Sequence, residues 1–226
     1  MTTQTVRKLS FGHSVARAIS IIFHPIVLPL VTLLALVYLA LGGSLDHVRY
    51  DLLARAGVLA GLAAVVAVVP VSVLVLVQVW RGRWTDTDVS VRSQRYLLYP
   101  FGIACMLGTA VIFWVLGAPI VALRATLGLA GTNVVNAVIN TRYKVSAHAT
   151  TASYCAALLW LLTPARDASV LAGPATAAAL LVGWSRVALG RHTTGQVILG
   201  WAVGAGTGAL AALVPWALPT AIHLAG

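Results

Sequence analysis

Glutamate is absent from all 226 residues, and the acidic complement is five aspartates. Without it, HExxH zinc sites, glutamate-based glycosidase pairs and EF-hand loops are excluded. Charge of either sign is scarce. Asp, Glu, Lys and Arg make up 9% of the chain, against roughly a quarter of an ordinary soluble domain. The two cysteines, Cys105 and Cys155, sit in apolar runs without C-x-x-C spacing, so they read as buried thiols and carry no compartment signal. A net charge of +10 and a pI near 10.6 fit the profile of a nucleic-acid binder. So few charges cannot cover a soluble surface, however, and no nucleic-acid partner is expected. The partner is the bilayer.

What the chain has instead is apolar length. Hydrophobic residues form 60% of it, and the mean hydropathy is +0.93. A helix needs about 20 mostly apolar residues to cross a membrane. Such runs fall at about 18–41, 52–79, 97–117, 119–139, 149–163, 170–189 and 196–214. The fifth is short and borrows from its flanks. Only Gly117-Ala118-Pro119 separates the third from the fourth, a tight helical hairpin. The Ala/Val/Leu runs do not alternate as spanning strands would. The expectation is an all-α polytopic membrane helical bundle with six or seven transmembrane helices. A basic N-terminal tail over 1–16 precedes a single transmembrane domain over 17–226. The apolar stretch after Ser10 is too long for a signal-peptide core and lacks a clear cleavage site, so it reads as a retained first span.

The segments 42–51, 117–119 and 164–169 and the tail after 215 carry no constellation. Those at 81–95, 140–147 and 190–195 are rich in Arg, Lys, His, Ser and Thr. Two spans separate each polar loop from the next, which puts all three on one membrane face. Of the 15 basic residues, all but Arg49, Arg55, Arg124 and Arg166 fall on that face. The positive-inside tendency assigns it to the cytoplasm, in a multi-pass protein of the cell membrane.

Two of these loops hold chemistry. In Ser185-Arg186-Val187-Ala188-Leu189-Gly190-Arg191-His192, an Arg ends one span and a His precedes the next. In Lys144-Val145-Ser146-Ala147-His148, the histidine opens a helix for which Ser146 is the expected N-cap. A helix N-terminus offers unpaired amides and a positive dipole end, an anion site. There the amides near Ala147 and His148 can meet phosphate oxygens. Lys144 and Arg186 add charge-assisted hydrogen bonds of about 1.5–3 kcal/mol each. Two histidines above such a cage suit phosphoryl transfer through a phosphohistidine, one attacking phosphorus and the other protonating the leaving oxygen.

The Ser-Arg-x-x-x-x-x-His run resembles the third signature motif of the type 2 phosphatidic acid phosphatase superfamily. Val145-Ser146-Ala147-His148 is similar to its second motif, Pro-Ser-Gly-His. Arg92-Ser93-Gln94-Arg95, with Pro100 beyond it, loosely matches the first. The resemblance covers roughly residues 81–200. It implies His192 as the phosphoryl-accepting nucleophile and His148 as the general acid that later assists water. It further implies Lys144, Ser146, Ala147 and Arg186 as phosphate ligands, with Arg92 and Arg95 supplying the first motif's cation. The implied reaction is hydrolysis of a lipid or isoprenoid phosphate or diphosphate, with no cofactor or metal. The same intermediate also serves phosphotransfer to an alcohol, and a degenerate scaffold serves non-catalytic lipid-phosphate binding or transport. The family usually places Asp four residues after the nucleophile, where this chain has Gln196. The Gln196 carbonyl shares a helical face with His192 and can accept its Nδ1–H; Asp86 and Asp88 are the alternative partners.

The remaining polar residues have plainer readings. His24, beside Pro25, reads as structural, and His13, His47 and His223 as interfacial. Asp86-Thr87-Asp88 has no second acidic cluster, so pairing with arginines is favoured over metal binding. Asn133, Asn136 and Asn140 form a stripe that should face the bundle interior, for packing or for headgroup contact. Gly200, Gly204 and Gly208 form a small-xxx-small packing face on the last span.

Overall fold

Proline and glycine divide the apolar runs into helices. The computed structural model describes residues 11–215, which contain no β-strand. The helices are α1 (Phe11–Ile22), α2 (Val27–Ala40), α3 (Tyr50–Ala63), α4 (Val69–Trp80), α5 (Arg95–Val115), α6 (Ile120–Asn140), α7 (Ala147–Leu162), α8 (Ala165–Ala188) and α9 (Thr194–Leu213). The all-α membrane bundle expected from composition is the observed architecture. Five helical stretches among the described residues are long and apolar enough to cross a bilayer, and the bent α1–α2 pair makes six when it is taken as one broken span. Arg7, Lys8 and His223 lie outside the described residues.

Three boundaries differ from the sequence reading. The run at 18–41 is not one straight helix: Pro25 has no amide to donate, and α1 and α2 meet at 47° around His24-Pro25. Residues 11–16, expected in the tail, begin α1. The expected loop at 164–169 shrinks to a junction at Pro164, because α8 starts at Ala165. The second run, by contrast, continues from Tyr50 to Trp80 with a π-helical segment at Ala64–Val68. Pro70 cannot extend the i→i−4 ladder, and Val69 donates to the Ala64 carbonyl, the i→i−5 bond that absorbs the interruption.

The short fifth run is the centre of the bundle. α7 has 16 residues, about 24 Å at 1.5 Å per residue, and is wrapped by α2, α6, α8 and α9. Most of its residues are buried. The closest approach is to α9, whose Gly200, Gly204 and Gly208 all pack against it. A Cβ at Gly200 would lie 2.9 Å from the Ser146 carbonyl oxygen, and one at Gly204 would strike the Thr150 carbonyl and the Ser153 hydroxyl. The glycine stripe therefore draws the N-termini of α7 and α9 together. Across the hairpin, Gly117 ends α5 at φ 61 and Pro119 caps α6. Asn136 and Asn140 are buried as the stripe required, and Asn133 is half-buried.

Candidate active site

The three polar loops meet on one face through named hydrogen bonds. Arg95 joins the first loop to the second, donating from Nε to the Val89 carbonyl at 2.8 Å and from Nη1 to the Val145 carbonyl at 2.9 Å. Lys144 Nζ reaches the Arg191 carbonyl at 2.9 Å. Arg191 returns to the first loop at Ser90 Oγ, 3.1 Å, and Asp86 Oδ2, 3.4 Å. The Ser146 amide donates to the Gln196 carbonyl at 3.3 Å, tying the start of α7 to the first turn of α9.

The spacing of Arg186 and His192 follows from how α8 ends. Gly190 takes φ 65 at the position after the cap, where a residue with a Cβ is strained. Its amide donates to the Val187 carbonyl and the Arg191 amide to the Arg186 carbonyl, the pair of bonds of a Schellman turn. The His192 amide joins them at the same Arg186 carbonyl, 3.2 Å. Five intervening residues are what one such turn needs to bring the histidine back beside the arginine. Thr193 then caps α9. Its Oγ1 accepts the Gln196 amide at 3.3 Å, and Gln196 Oε1 accepts the Thr193 amide at 3.3 Å, a reciprocal capping box.

The same Gln196 Oε1 lies 2.9 Å from His192 Nδ1. A carbonyl oxygen only accepts, so His192 carries its proton on Nδ1 and leaves the Nε2 lone pair open. Burial drives the His192 pKa down to about 3. The Gln196 hydrogen bond opposes the fall, and the charges of Lys144, Arg95 and Arg186 reinforce it. The ring is therefore neutral at ordinary pH, the state that attacks phosphorus. Burial also lowers the Lys144 pKa, again with help from Arg95, Arg186 and Arg191. Asp86 and Asp88, the alternative partners considered for His192, pair with Arg191 and Arg186 instead.

Arg186 is 1% exposed. Its Nη1 donates to Ser20 Oγ of α1 at 2.7 Å and its Nη2 to Asp88 Oδ2 at 2.9 Å, while Nε has no partner. His148, 6% exposed, has an Nε2 with no partner either. Buried polar atoms are nearly always satisfied, so two orphans in one cage mark a place for a ligand. Ser146 Oγ caps α7 by accepting the Ala149 amide at 3.5 Å. The Ala147 and His148 amides have no intrahelical acceptor, as in the first turn of any helix. Of the two first-motif arginines, Arg95 is buried within the cluster. Arg92 is exposed and contributes only its carbonyl, which accepts Asn140 Nδ2 at 3.1 Å. The expected phosphate ligand Arg92 is thus not brought to the site.

Three contributors escaped the sequence reading. Ser20 is a hydroxyl in an apolar helix, with no local signal. His24 turns its ring edge-on to His148, centroids 5.3 Å apart at 80°. Val89 holds φ 48, rare for a β-branched residue. This strained turn aims the Asp88 carboxylate at Arg186 and the Val89 carbonyl at Arg95.

Below His148 opens a cavity of about 460 Å³, within the range of small-molecule sites. Its polar end is His24, Asp88, Arg95 and His148, and its walls are mostly apolar, including Leu30, Leu33, Val71, Leu98 and Leu129, with Ser72, Thr126 and Asn133 among them. Along α5 it runs from Arg95 to Thr109, about 21 Å at 1.5 Å per residue, a large part of a hydrocarbon core of about 30 Å.

This arrangement defines a class: a polytopic helical membrane protein with two histidines beside a buried cationic cage, whose His148 and Arg95 line a mostly apolar slot. The chain belongs to the PAP2 superfamily, that of the type 2 phosphatidic acid phosphatases, and matches it over residues 62–219. Members of that superfamily are generally phosphatases. No curated protein and no solved structure matches the chain.

Proposed function

We propose that the protein is a membrane phosphatase that hydrolyses a lipid or isoprenoid phosphate or diphosphate through a phosphohistidine. The observation that carries this reading is an imbalance of buried charge. Arg95, Arg186 and Lys144 all act on His192, and Arg95 and Arg186 are buried. Asp88 answers Arg186 and Asp86 lies near the half-buried Lys144, while Arg95 is held by the Val89 and Val145 carbonyls. Burying charge without partners costs several kcal/mol, and a phosphate supplies the missing anion. His192 Nε2 attacks phosphorus while Gln196 holds Nδ1–H. His148 enters as the imidazolium, gives a proton to the leaving oxygen, and as the neutral ring then takes one from the attacking water. Lys144, Arg186, Arg95 and the first amides of α7 hold the phosphoryl oxygens as charge builds on them. The apolar slot receives the hydrocarbon tail, placing the phosphate at headgroup level.

The test is phosphate release by the purified protein in EDTA over a panel of lipid and prenyl phosphates. The wild type is expected to turn over and His192→Ala to be inactive; metal-dependent release that survives His192→Ala would falsify the reading. The basic excess on this face supports a site on the cytoplasmic side of the cell membrane. Cysteine labelling at Thr85 that occurs only from outside refutes that orientation.

A further inference from the structure

His24, Asp88 and His148 come from three separate stretches of chain, yet each offers a ligand atom and the three atoms lie within 4.8 Å of one another. The mechanism proposed above uses only His148. We infer that they form a binding site for a borderline-soft divalent ion, Zn²⁺ in the first instance, and that the ion occupies it by taking the His148 lone pair on which the general acid would carry its proton.

The donor set is two imidazoles and one carboxylate. This is the composition of three-ligand zinc sites that keep a fourth position open, whereas Mg²⁺ and Ca²⁺ demand oxygen donors. The second observation is His148 itself: a side chain 6% exposed, with an Nε2 sealed from solvent and without a hydrogen-bond partner. Asp88 has the form of a metal-ligating carboxylate. Arg186 holds Oδ2 at 2.9 Å, the supporting hydrogen bond that such ligands usually receive from a neighbour, and Oδ1 remains for the ion. Tetrahedral zinc, with bonds of about 2.0–2.2 Å, sets its ligand atoms roughly 3.3 Å apart. The three groups must therefore each close by somewhat under about 1 Å. His148 is fixed at the start of α7. His24 and Asp88 are not in helices: one is at the corner between α1 and α2, the other in the loop before Val89.

The charge nearby sets the strength. Arg186 and Arg95 both act on His148, and they oppose a second cation. The site is accordingly weaker than the same ligand set without neighbouring cations, occupied when free zinc rises and vacated when it falls. A bound ion leaves His148 unable to donate a proton, so zinc switches off the reaction proposed above. The inhibition rests on that reading; the binding does not.

Two measurements on the full chain in detergent separate them. In equilibrium dialysis at micromolar Zn²⁺, the wild type is expected to bind one more ion than His24→Phe. That variant keeps an aromatic edge on His148 and removes both ring nitrogens. Equal stoichiometry in the two proteins overturns the site, whatever their activity, and excess Mg²⁺ should displace nothing. In phosphate release, saturating Zn²⁺ should slow the wild type by about 100-fold or more, the contribution of a general acid, reversibly in EDTA. His24→Phe should hold its own metal-free rate. Inhibition of equal depth in both proteins overturns the switch even if zinc binds. A wild type without phosphatase activity would sink the function proposed above, while the dialysis would still decide the site.

Discussion

Replacing Gln196 by Leu removes the acceptor at His192 Nδ1 while keeping a side chain of similar size. The lost bond is the 2.9 Å contact to Oε1. A neutral hydrogen bond is worth about 1 kcal/mol, and leaving its buried donor unsatisfied adds about 1–3 kcal/mol. His192 also loses the group that selects its Nδ1–H form. Since positive charge grows on the ring as Nε2 bonds to phosphorus, most of this loss falls on the transition state. At 1.36 kcal/mol per decade, kcat should fall by about 10- to 100-fold with KM little changed. Gln196→Glu keeps the length and the capping box and makes the acceptor anionic. A charge-assisted bond of about 1.5–3 kcal/mol should restore turnover to at least the wild-type level, and should lift the His192 pKa from about 3 by roughly one unit. Thr193→Val serves as the control. It breaks the other half of the capping box at a cost of about 1 kcal/mol, lowering the unfolding midpoint while kcat stays near wild type. Phosphate release under single-turnover and steady-state conditions reads all three variants. A Leu variant with wild-type kcat, or a Glu variant no better than Leu, refutes the reasoning.

Other consequences are tested more simply. Because burial and the surrounding cations hold His192 neutral down to about pH 3, acylation by diethylpyrocarbonate at His192 should be as fast at pH 5 as at pH 7. An ordinary histidine of pKa about 6.5 is only about 3% neutral at pH 5. Only the unfolded chain takes up that proton between about pH 6.5 and 3, so thermal stability should decline as pH falls through this window; a His192 that loses reactivity near pH 6.5 contradicts both statements. Gly204→Ala forces a methyl into the Thr150 carbonyl and the Ser153 hydroxyl, and should destabilise by about 1–3 kcal/mol or more, seen as a lower unfolding midpoint in detergent. Gly190→Ala should cost about 1 kcal/mol from its φ of 65 and should reduce kcat beyond that, since the same turn spaces Arg186 from His192. Unchanged kcat would show that the turn does not set the geometry.

The sequence carried most of the site because most of it is local. Arg186 and His192 are six residues apart across one turn, His148 follows its cap by two, and Gln196 follows His192 by one helical turn; each relation is fixed by backbone geometry and is visible as spacing. The Thr193-x-x-Gln196 capping box went unread although its spacing is equally local, and it gives the glutamine a structural reason to stand where the family has Asp. What could not be read depends on packing or on helix phase. Arg92 and Arg95 look alike in sequence, and only the passage from a 3₁₀ turn into α5 buries one and exposes the other. Ser20 and His24 enter the site from more than 100 residues away through α1 and α2. The positive φ of Val89 leaves no mark in residue type, since valine disfavours it. The 16-residue α7 looked like a marginal span for the same reason that it is central: a helix enclosed by others need not match the thickness of the lipid.

The bend at His24-Pro25 bears on where the working unit ends. The family match begins at residue 62, and every motif histidine and cation lies after it. Yet the buried guanidinium of Arg186 finds its hydroxyl on Ser20, and the exposed edge of His148 is covered by His24. A chain cut before α3 would keep every signature residue and still present an open, under-coordinated cage. The N-terminal pair thus acts as a fitted lid stone outside the shared module. Variation in that segment can retune the acid end of the site without altering a single motif residue.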